Sequence, residues 1–357
     1  MPQHQSLPAA SRLFSKLFVL GVVALLTTAV IADDPPKKSD APATEKKVEA
    51  QADPAKAADQ KPSAKPADKK PDAKAAGKKK AAAKKKEEMK KAAEKKPEPK
   101  KEPPKPIFTD KALEEAVRAE VFEKRYTKAP IVAEDVTNIS RVVGKGKAIK
   151  NLDGLQHCKA LMLIDLEDNQ IADLKPIAEL KRLQSVTLAG NKISDLKPLE
   201  NLTSMQLLDL SRNQVTDLSA LKKMANLRTL YVAANQLKNI KPIADLAKLW
   251  SLDVSKNELS DLEPVGKLGW LTTLNITENN VESLSPLSSL RELDMLLMSK
   301  NKVTDLEPLV EMCRKDAEGD RRFAPYLDVY LGDNPLDEKK AAKQSKELES
   351  FGVDVHK

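Results

Sequence analysis

Leu183-Gln184-Ser185-Val186-Thr187-Leu188-Ala189-Gly190-Asn191-Lys192-Ile193-Ser194-Asp195-Leu196-Lys197-Pro198-Leu199 decides the fold, because its spacing returns along the chain. Leu183, Val186, Leu188, Asn191, Ile193, Leu196, Pro198 and Leu199 recur three periods later as Leu249, Leu252, Val254, Asn257, Leu259, Leu262, Pro264 and Val265. Asn169, Asn191, Asn213, Asn235, Asn257, Asn279 and Asn301 follow one another at intervals of 22 residues. A period of that length marks a unit that cannot bury its apolar face alone and must stack on its neighbours. Through the short LxL segment of each LxxLxLxxNxL unit, buried and exposed positions alternate, which predicts a strand.

The Asn column predicts structure rather than chemistry. A carboxamide inside a turn donates to backbone C=O and accepts from backbone N–H, and so closes groups of its own and adjacent coils. Asp173, Asp195, Asp217, Asp261 and Asp305 precede Leu-x-Pro, Leu-x-Ala or an equivalent and are expected to cap the next short helical turn, with Asn239 and Ser283 in the same slot. Both ends depart from the repeat. Upstream, Ile139, Val142, Ile149, Leu152 and Leu155 keep phase, but Gly144 and Lys147 replace a core residue and the Asn, so a degenerate first coil is expected. Thr109-Asp110 opens a helix whose Leu113, Val117 and Val121 share a face and cap the core. Downstream, Val329-x-Leu331-x-x-Asn334-x-Leu336 is a last coil, 33 residues after Asn301. A helix from Asp337 to Ser350 and Gly352-Val353-x-Val355 then cover that end. The eleven extra residues, among them Arg314, Lys315, Asp320, Arg321 and Arg322, read equally as a charged specificity element or as an elongated outer helix.

Units ending N-x-I-x-D-L-x-P-L resemble the 22-residue bacterial leucine-rich-repeat class found in internalins, and the resemblance runs from Ile107 to Lys357. It implies an α/β solenoid, a right-handed superhelix with parallel β-strands on the concave face and helical caps at both ends, that recognises proteins by that face. The C-terminal segment has no LPxTG-type sorting signal and no basic wall-binding repeats, so attachment to a Gram-positive wall and host invasion are not supported.

Candidate ligand-binding residues flank the buried strand positions. One column runs Asp165, Thr187, Asp209, Tyr231, Asp253, Asn275 and Leu297; beside it run Leu163, Ser185, Leu207, Thr229, Ser251, Thr273 and Met295. Tyr231 and nearby Trp250 are the anchor candidates, since aromatic side chains dominate interface hot spots. Met295 and Leu297 are expected to form a second exposed apolar spot. Isolated exposed apolar residues are ordinary, so no single one identifies a site. Asp165, Asp209 and Asp253 lie in alternate coils, about 10 Å apart at the inter-strand spacing, too far for one cation to bridge. Neither a metal nor a cofactor is expected.

Catalytic machinery is absent from the sequence pattern. The chain has three His: His4, His157 beside Cys158, and His356. Cys158 takes the slot of Leu180, Leu202 and Leu246, a small core residue rather than a nucleophile. Cys313 lies many coils away, so the two thiols cannot pair. No phosphate loop, metal-spaced cluster or nucleophile elbow occurs.

Charge divides the chain. Residues 35–106 hold 23 Lys and 12 acidic residues, a net of +11, while everything from Ile107 onward sums to −3. The basic character therefore belongs to the tail, and no specific nucleic-acid partner is expected. That Lys/Ala/Pro-rich stretch has almost nothing to bury and is expected to be disordered. It reads as a solvated spacer or as an arm in weak contact with anionic polymer or a membrane surface. Before it, Arg12 and Lys16 precede an uncharged run, Leu17 to Ala32, that reads as a cleaved export signal, the alternative being an uncleaved N-terminal anchor. No Cys follows it, so lipid anchoring is not expected.

The expected organisation is thus a signal peptide at 1–32, a linker at 33–106, an N-terminal cap with the degenerate coil at 107–155, repeats at 156–336 and a C-terminal cap at 337–357. The expected function is non-enzymatic: a monomeric, secreted or envelope-facing module that binds a protein or peptide on its concave face. The alternative is an envelope attachment protein held by its Lys-rich arm.

Overall fold

A computed structural model describes residues 105–357; the expected signal peptide and all but the end of the linker lie outside the described residues. Ten three-residue strands form one parallel sheet in strict sequence order. They are β1 (Arg141–Val143), β2 (Leu163–Asp165), β3 (Ser185–Thr187), β4 (Leu207–Asp209), β5 (Thr229–Tyr231), β6 (Ser251–Asp253), β7 (Thr273–Asn275), β8 (Met295–Leu297), β9 (Asp328–Tyr330) and β10 (Asp354–His356). Their register is the sequence period itself, as in Leu230 opposite Leu252 and Tyr231 opposite Asp253. From β1 to β8 each strand returns to the next through a short 3-10 turn, such as Lys197–Leu199 or Ser219–Leu221, while the last two crossovers carry α-helices.

The apolar positions of every coil point into one continuous core: Leu183, Val186, Leu188, Ile193 and Leu199 are wholly buried, as are Leu249, Leu252, Val254, Leu259 and Val265. Burying each such side chain contributes about 1.5–3 kcal/mol. No coil could keep its share without the next one.

The Asn ladder closes the turn after each strand. Asn235 Oδ1 accepts from Val215 N–H at 2.8 Å, and its Nδ2 donates to Leu210 O at 3.0 Å in the preceding coil and to Val232 O at 3.1 Å in its own. Asn169 to Asn301 and Asn334 repeat the pattern, as in Asn191, Asn257 and Asn279. The residue before each ladder Asn takes a left-handed conformation, with φ of 55° at Asp168, 57° at Arg212 and 67° at Gly190. Gly190 is required there for a second reason: a Cβ would stand 2.3 Å from Asp168 Oδ1, which bridges over it to Arg212.

The expected Asp caps form as Asx turns. Asp173, Asp195, Asp217, Asp261 and Asp305 each accept from the N–H two residues on, at 2.8–3.0 Å, and Ser283 Oγ does so at 3.2 Å. Asn239 makes no such bond among the described residues.

At the N-terminal end, α1 (Lys111–Arg118) buries Leu113, Ala116 and Val117, with Val121 buried just past it. Asp110 joins helix to coil: Oδ1 accepts from Ala112 and Leu113, Oδ2 from Lys150 and Asn151. Burial pushes its pKa up, but those four donors outweigh it and hold the carboxyl below its usual range. A short α2 (Ala133–Val136) precedes β1.

At the other end the long last repeat carries an elongated outer helix, with Asp320, Arg321 and Arg322 in the loop that follows it. In α3 (Glu307–Glu318), Leu309, Val310, Met312 and Cys313 are buried, and Arg314 bonds to Glu347 on α4 (Glu338–Ser350). The buried Asp316 carboxylate accepts from Arg322, Phe323 and Ala324 N–H and fixes the loop leading to β9. The terminal Gly-Val segment covers the core as expected and also adds β10, whose His356 stacks on Tyr330 with ring centroids 4.3 Å apart.

Candidate concave binding face

Alternation along the strands fixes which side chains face outward from the sheet. Burial of Leu230 and Val232 leaves Tyr231 half-buried between them, and the same geometry places Asp165, Thr187, Asp209, Asp253, Asn275 and Leu297 in one half-buried column. Val143 extends that column at one end and is exposed; Tyr330 extends it at the other.

Sequence spacing did not show that the acidic members of the column hold the turn beneath them. Asp209 Oδ1 accepts from Ser211 N–H and Asp253 Oδ1 from Ser255 N–H, both at 2.9 Å, and Asn275 Oδ1 from Thr277 N–H at 3.0 Å. Asp165 makes a longer version to Glu167 at 3.4 Å. Asp or Asn at a strand end, two residues before a turn N–H, is the signal for such a bond. The second oxygen of Asp253 meets Asn275 Nδ2 at 3.1 Å.

Among the described residues, none of these three aspartates forms an ion pair, whereas the neighbouring Glu167 and Asp168 are bridged by Arg212. Burial accordingly pushes the Asp165 and Asp209 carboxyls above their usual range, against the pull of the backbone donors. Tyr231 lies between Asp209 and Asp253. Burial raises its phenol first, the Ser251 hydroxyl draws it down, and the two carboxylates add to the rise.

Trp250 stands one residue before β6 and is 51% exposed; its indole Nε1 donates to Thr229 Oγ1 at 3.0 Å. That contact explains why Thr229 is buried. Tyr231 and Trp250 therefore occupy adjacent coils, joined through Thr229 and through Ser251, whose hydroxyl is 3.5 Å from the Tyr231 phenol.

One expectation fails. Met295 is 6% exposed, so it is core and forms no apolar spot with half-buried Leu297. Its register partner is Asp328, delivered by the longer last repeat instead of a 22-residue coil, and the regular outward position is covered at that junction.

Trp270, 72% exposed, was missed. It occupies a slot held by Lys248 and Asn226 in the preceding coils, and an apolar residue in a polar column was the available signal. Phe122, Tyr126 and Tyr326 are exposed as well.

Cys158 and Cys313 are free and buried, and burial pushes both thiols up to about 12. No group of three or more His, Cys, Asp or Glu suited to a metal occurs among the described residues. Nor, among them, is any helix long and apolar enough to cross a membrane.

The profile for Leucine Rich repeats (2 copies) matches residues 181–223 and 203–248. No curated protein matches the chain. Among solved structures, internalin C2 of Listeria monocytogenes is 30% identical over 65% of this chain and 95% of that one, with a TM-score of 0.56. Internalin F of the same species is 20% identical over 70% of this chain and 95% of that one, with a TM-score of 0.40. The leucine-rich-repeat ectodomain of the Arabidopsis thaliana receptor kinase GASSHO1/SCHENGEN3, solved with CASPARIAN STRIP INTEGRITY FACTOR 2, is 21% identical over 63% of this chain and 28% of that one, with a TM-score of 0.50. With its 22-residue ladder, its capped parallel sheet and its likeness to internalin C2 over nearly that whole chain, this protein belongs to the internalin-like class of bacterial leucine-rich-repeat proteins.

Proposed function

We propose that the protein is a non-enzymatic binding module that captures a protein or peptide on its concave face, outside the cell or at its envelope. The observation that carries this reading is Tyr231 with Trp250 in adjacent coils, a half-buried phenol and an exposed indole beside Asp209 and Asp253, which form no ion pair among the described residues. Aromatic anchors in a partly desolvated setting are the composition of interface hot spots. Placement outside the cell rests on Arg12 and Lys16 ahead of the uncharged run from Leu17 to Ala32. Support for a protein or peptide ligand also comes from the Arabidopsis receptor, which was solved with a protein factor bound.

The test is a capture experiment with the full chain, followed by titration of the captured partner at fixed salt. Tyr231→Ala combined with Trp250→Ala should weaken binding by more than about 2 kcal/mol while the circular dichroism spectrum stays intact. Lys222→Ala with Lys241→Ala, on the outer side, should leave affinity unchanged. Loss of affinity in the outer pair with normal binding by the inner pair sinks the concave-face reading. A steep fall with rising salt would point to the Lys-rich segment instead.

A further inference from the structure

The loop from Ala119 to Pro130, between α1 and α2, is tied across by side-chain hydrogen bonds yet presents Phe122 and Tyr126 to solvent. Arg118 Nη1 donates to Lys124 O at 3.3 Å and Thr127 O at 3.0 Å; Arg125 Nε donates to Ala119 O at 2.7 Å; Lys124 Nζ donates to Pro130 O at 2.8 Å and to Asp135. On this framework Phe122 is 85% exposed and Tyr126 93% exposed. Nothing in the solenoid core uses either ring.

Within the loop, the charges left outside ion pairs lean basic. Lys124 is engaged by Asp135 and Glu120 by Arg141, which leaves Arg125 and Lys128 without a carboxylate partner among the described residues, against Glu123 alone. The chain also enters the cap at the base of this loop, where Ile107 N–H donates to Ile131 O at 3.2 Å. Residues 35–106, with a net charge of +11, end at that point.

Two aromatic rings beside uncompensated cations, at the end of the solenoid where a polycationic stretch joins, match the chemistry of an anionic bilayer surface. Aromatic rings settle at the headgroup level, cations are drawn to anionic lipid, and neither contribution needs a spanning helix. We propose that the loop carrying Phe122 and Tyr126 is a membrane-surface docking element for anionic lipid, separate from the concave face. In that arrangement the N-terminal cap meets the bilayer and the repeats project from it.

The buried thiols make a site-specific test practical, because Cys158 and Cys313 are inaccessible to a label. Glu123→Cys in the full chain, carrying an environment-sensitive fluorophore, is titrated with vesicles of phosphatidylcholine and phosphatidylglycerol, with and without a bilayer-embedded quencher. Lys241→Cys, on the outer side of the repeats, reports on contact elsewhere. The expected result is quenching at position 123 but not at 241 on anionic vesicles. Adding Phe122→Ser and Tyr126→Ser should weaken the response about tenfold, or about 1.4 kcal/mol. Both side chains are exposed, so their removal leaves the fold intact. Four outcomes overturn the proposal: no binding to anionic vesicles; sedimentation with vesicles through the rest of the chain without quenching at 123; quenching that survives the double substitution; or a lipid-independent change at 123 that grows with protein concentration, as burial against a second copy would produce.

Discussion

Replacing Asn235 by Ala isolates what one rung of the ladder contributes. Its four bonds are not equivalent. The carbonyls that Nδ2 serves keep other donors: Leu210 O retains Asn213 Nδ2, Val232 O retains Asn257 Nδ2, and Ala233 O retains Arg212 N–H. Val215 N–H has no such reserve, since Oδ1 of Asn235 is its acceptor and Val215 is wholly buried. An orphaned buried donor costs about 1–3 kcal/mol, and the weakened carbonyl contacts add about 1 kcal/mol, for about 2–4 kcal/mol in all. In a chain of this size that lowers the melting temperature by about 5–15 °C. Urea denaturation followed by circular dichroism and by Trp250 and Trp270 fluorescence measures the loss. The same substitution at Asn334, which is only half-buried and bonds Val303 N–H at 3.2 Å, should cost less. Unchanged stability in Asn235→Ala together with lost ligand capture would refute the structural role of the ladder.

With both thiols raised to about 12 by burial, a disulfide-exchange reagent at neutral pH should label neither Cys158 nor Cys313 in the native protein and both in urea; rapid native labelling would contradict the burial. Asp305 is held down to about 2 by Gln344, Lys340 and the Glu307 N–H, so its contribution is present above its ordinary value of 3.8 and lost as pH falls through about 2; Asp305→Asn should show a smaller stability loss between pH 4 and 2 than the parent, by thermal melts across that range. Asp209 runs the other way: its raised pKa means that the charged form is disfavoured in the fold, a cost present at neutral pH and relieved as pH falls through the folded value. Asp209→Asn keeps the acceptor for Ser211 N–H and should therefore match or exceed the parent in melting temperature at pH 7; a marked drop would mean that the charge itself stabilises the fold.

The repeat, both caps and the phase of every coil were legible because a solenoid writes its packing locally: each buried position answers to the one 22 residues away. What the sequence hid depends on partners outside that rule. Met295 sits at a regular outward position and is buried, since the coil beyond it is eleven residues longer and brings Asp328 into register. Val355 carried the right pattern to cover the end, but its pairing with Val329 as a tenth strand is decided by tertiary contact. Of the candidate site, alternation gave the column and its orientation. The bonds from Ser211 and Ser255 N–H to Asp209 and Asp253 became visible only with the backbone placed, and they give those carboxylates a structural role in holding the turn.

The distribution of aromatic residues ties the fold to the proposed recognition. Stacked coils offer nearly identical slots about 4.8 Å apart, filled here by Leu, Ile and Val, and a ring in one slot would displace the coils on either side. Of the ten aromatic residues among those described, Phe108 and Phe323 alone are buried, and both lie outside the regular coils, in the N-terminal cap and in the long last repeat. Phe351 packs against the core from the C-terminal cap, but the core does not account for Tyr231, Trp250, Trp270, Phe122 or Tyr126 at their exposed or half-exposed positions. Exposing one large apolar side chain is ordinary for a folded surface. Placing Tyr231 and Trp250 in adjacent coils, beside Asp209, whose burial raises its pKa, is not required by any packing constraint in the solenoid. In this fold stability is carried by the repeated columns, which leaves the intervening columns free to vary, and the residues that break the pattern there are the ones that the proposed recognition uses.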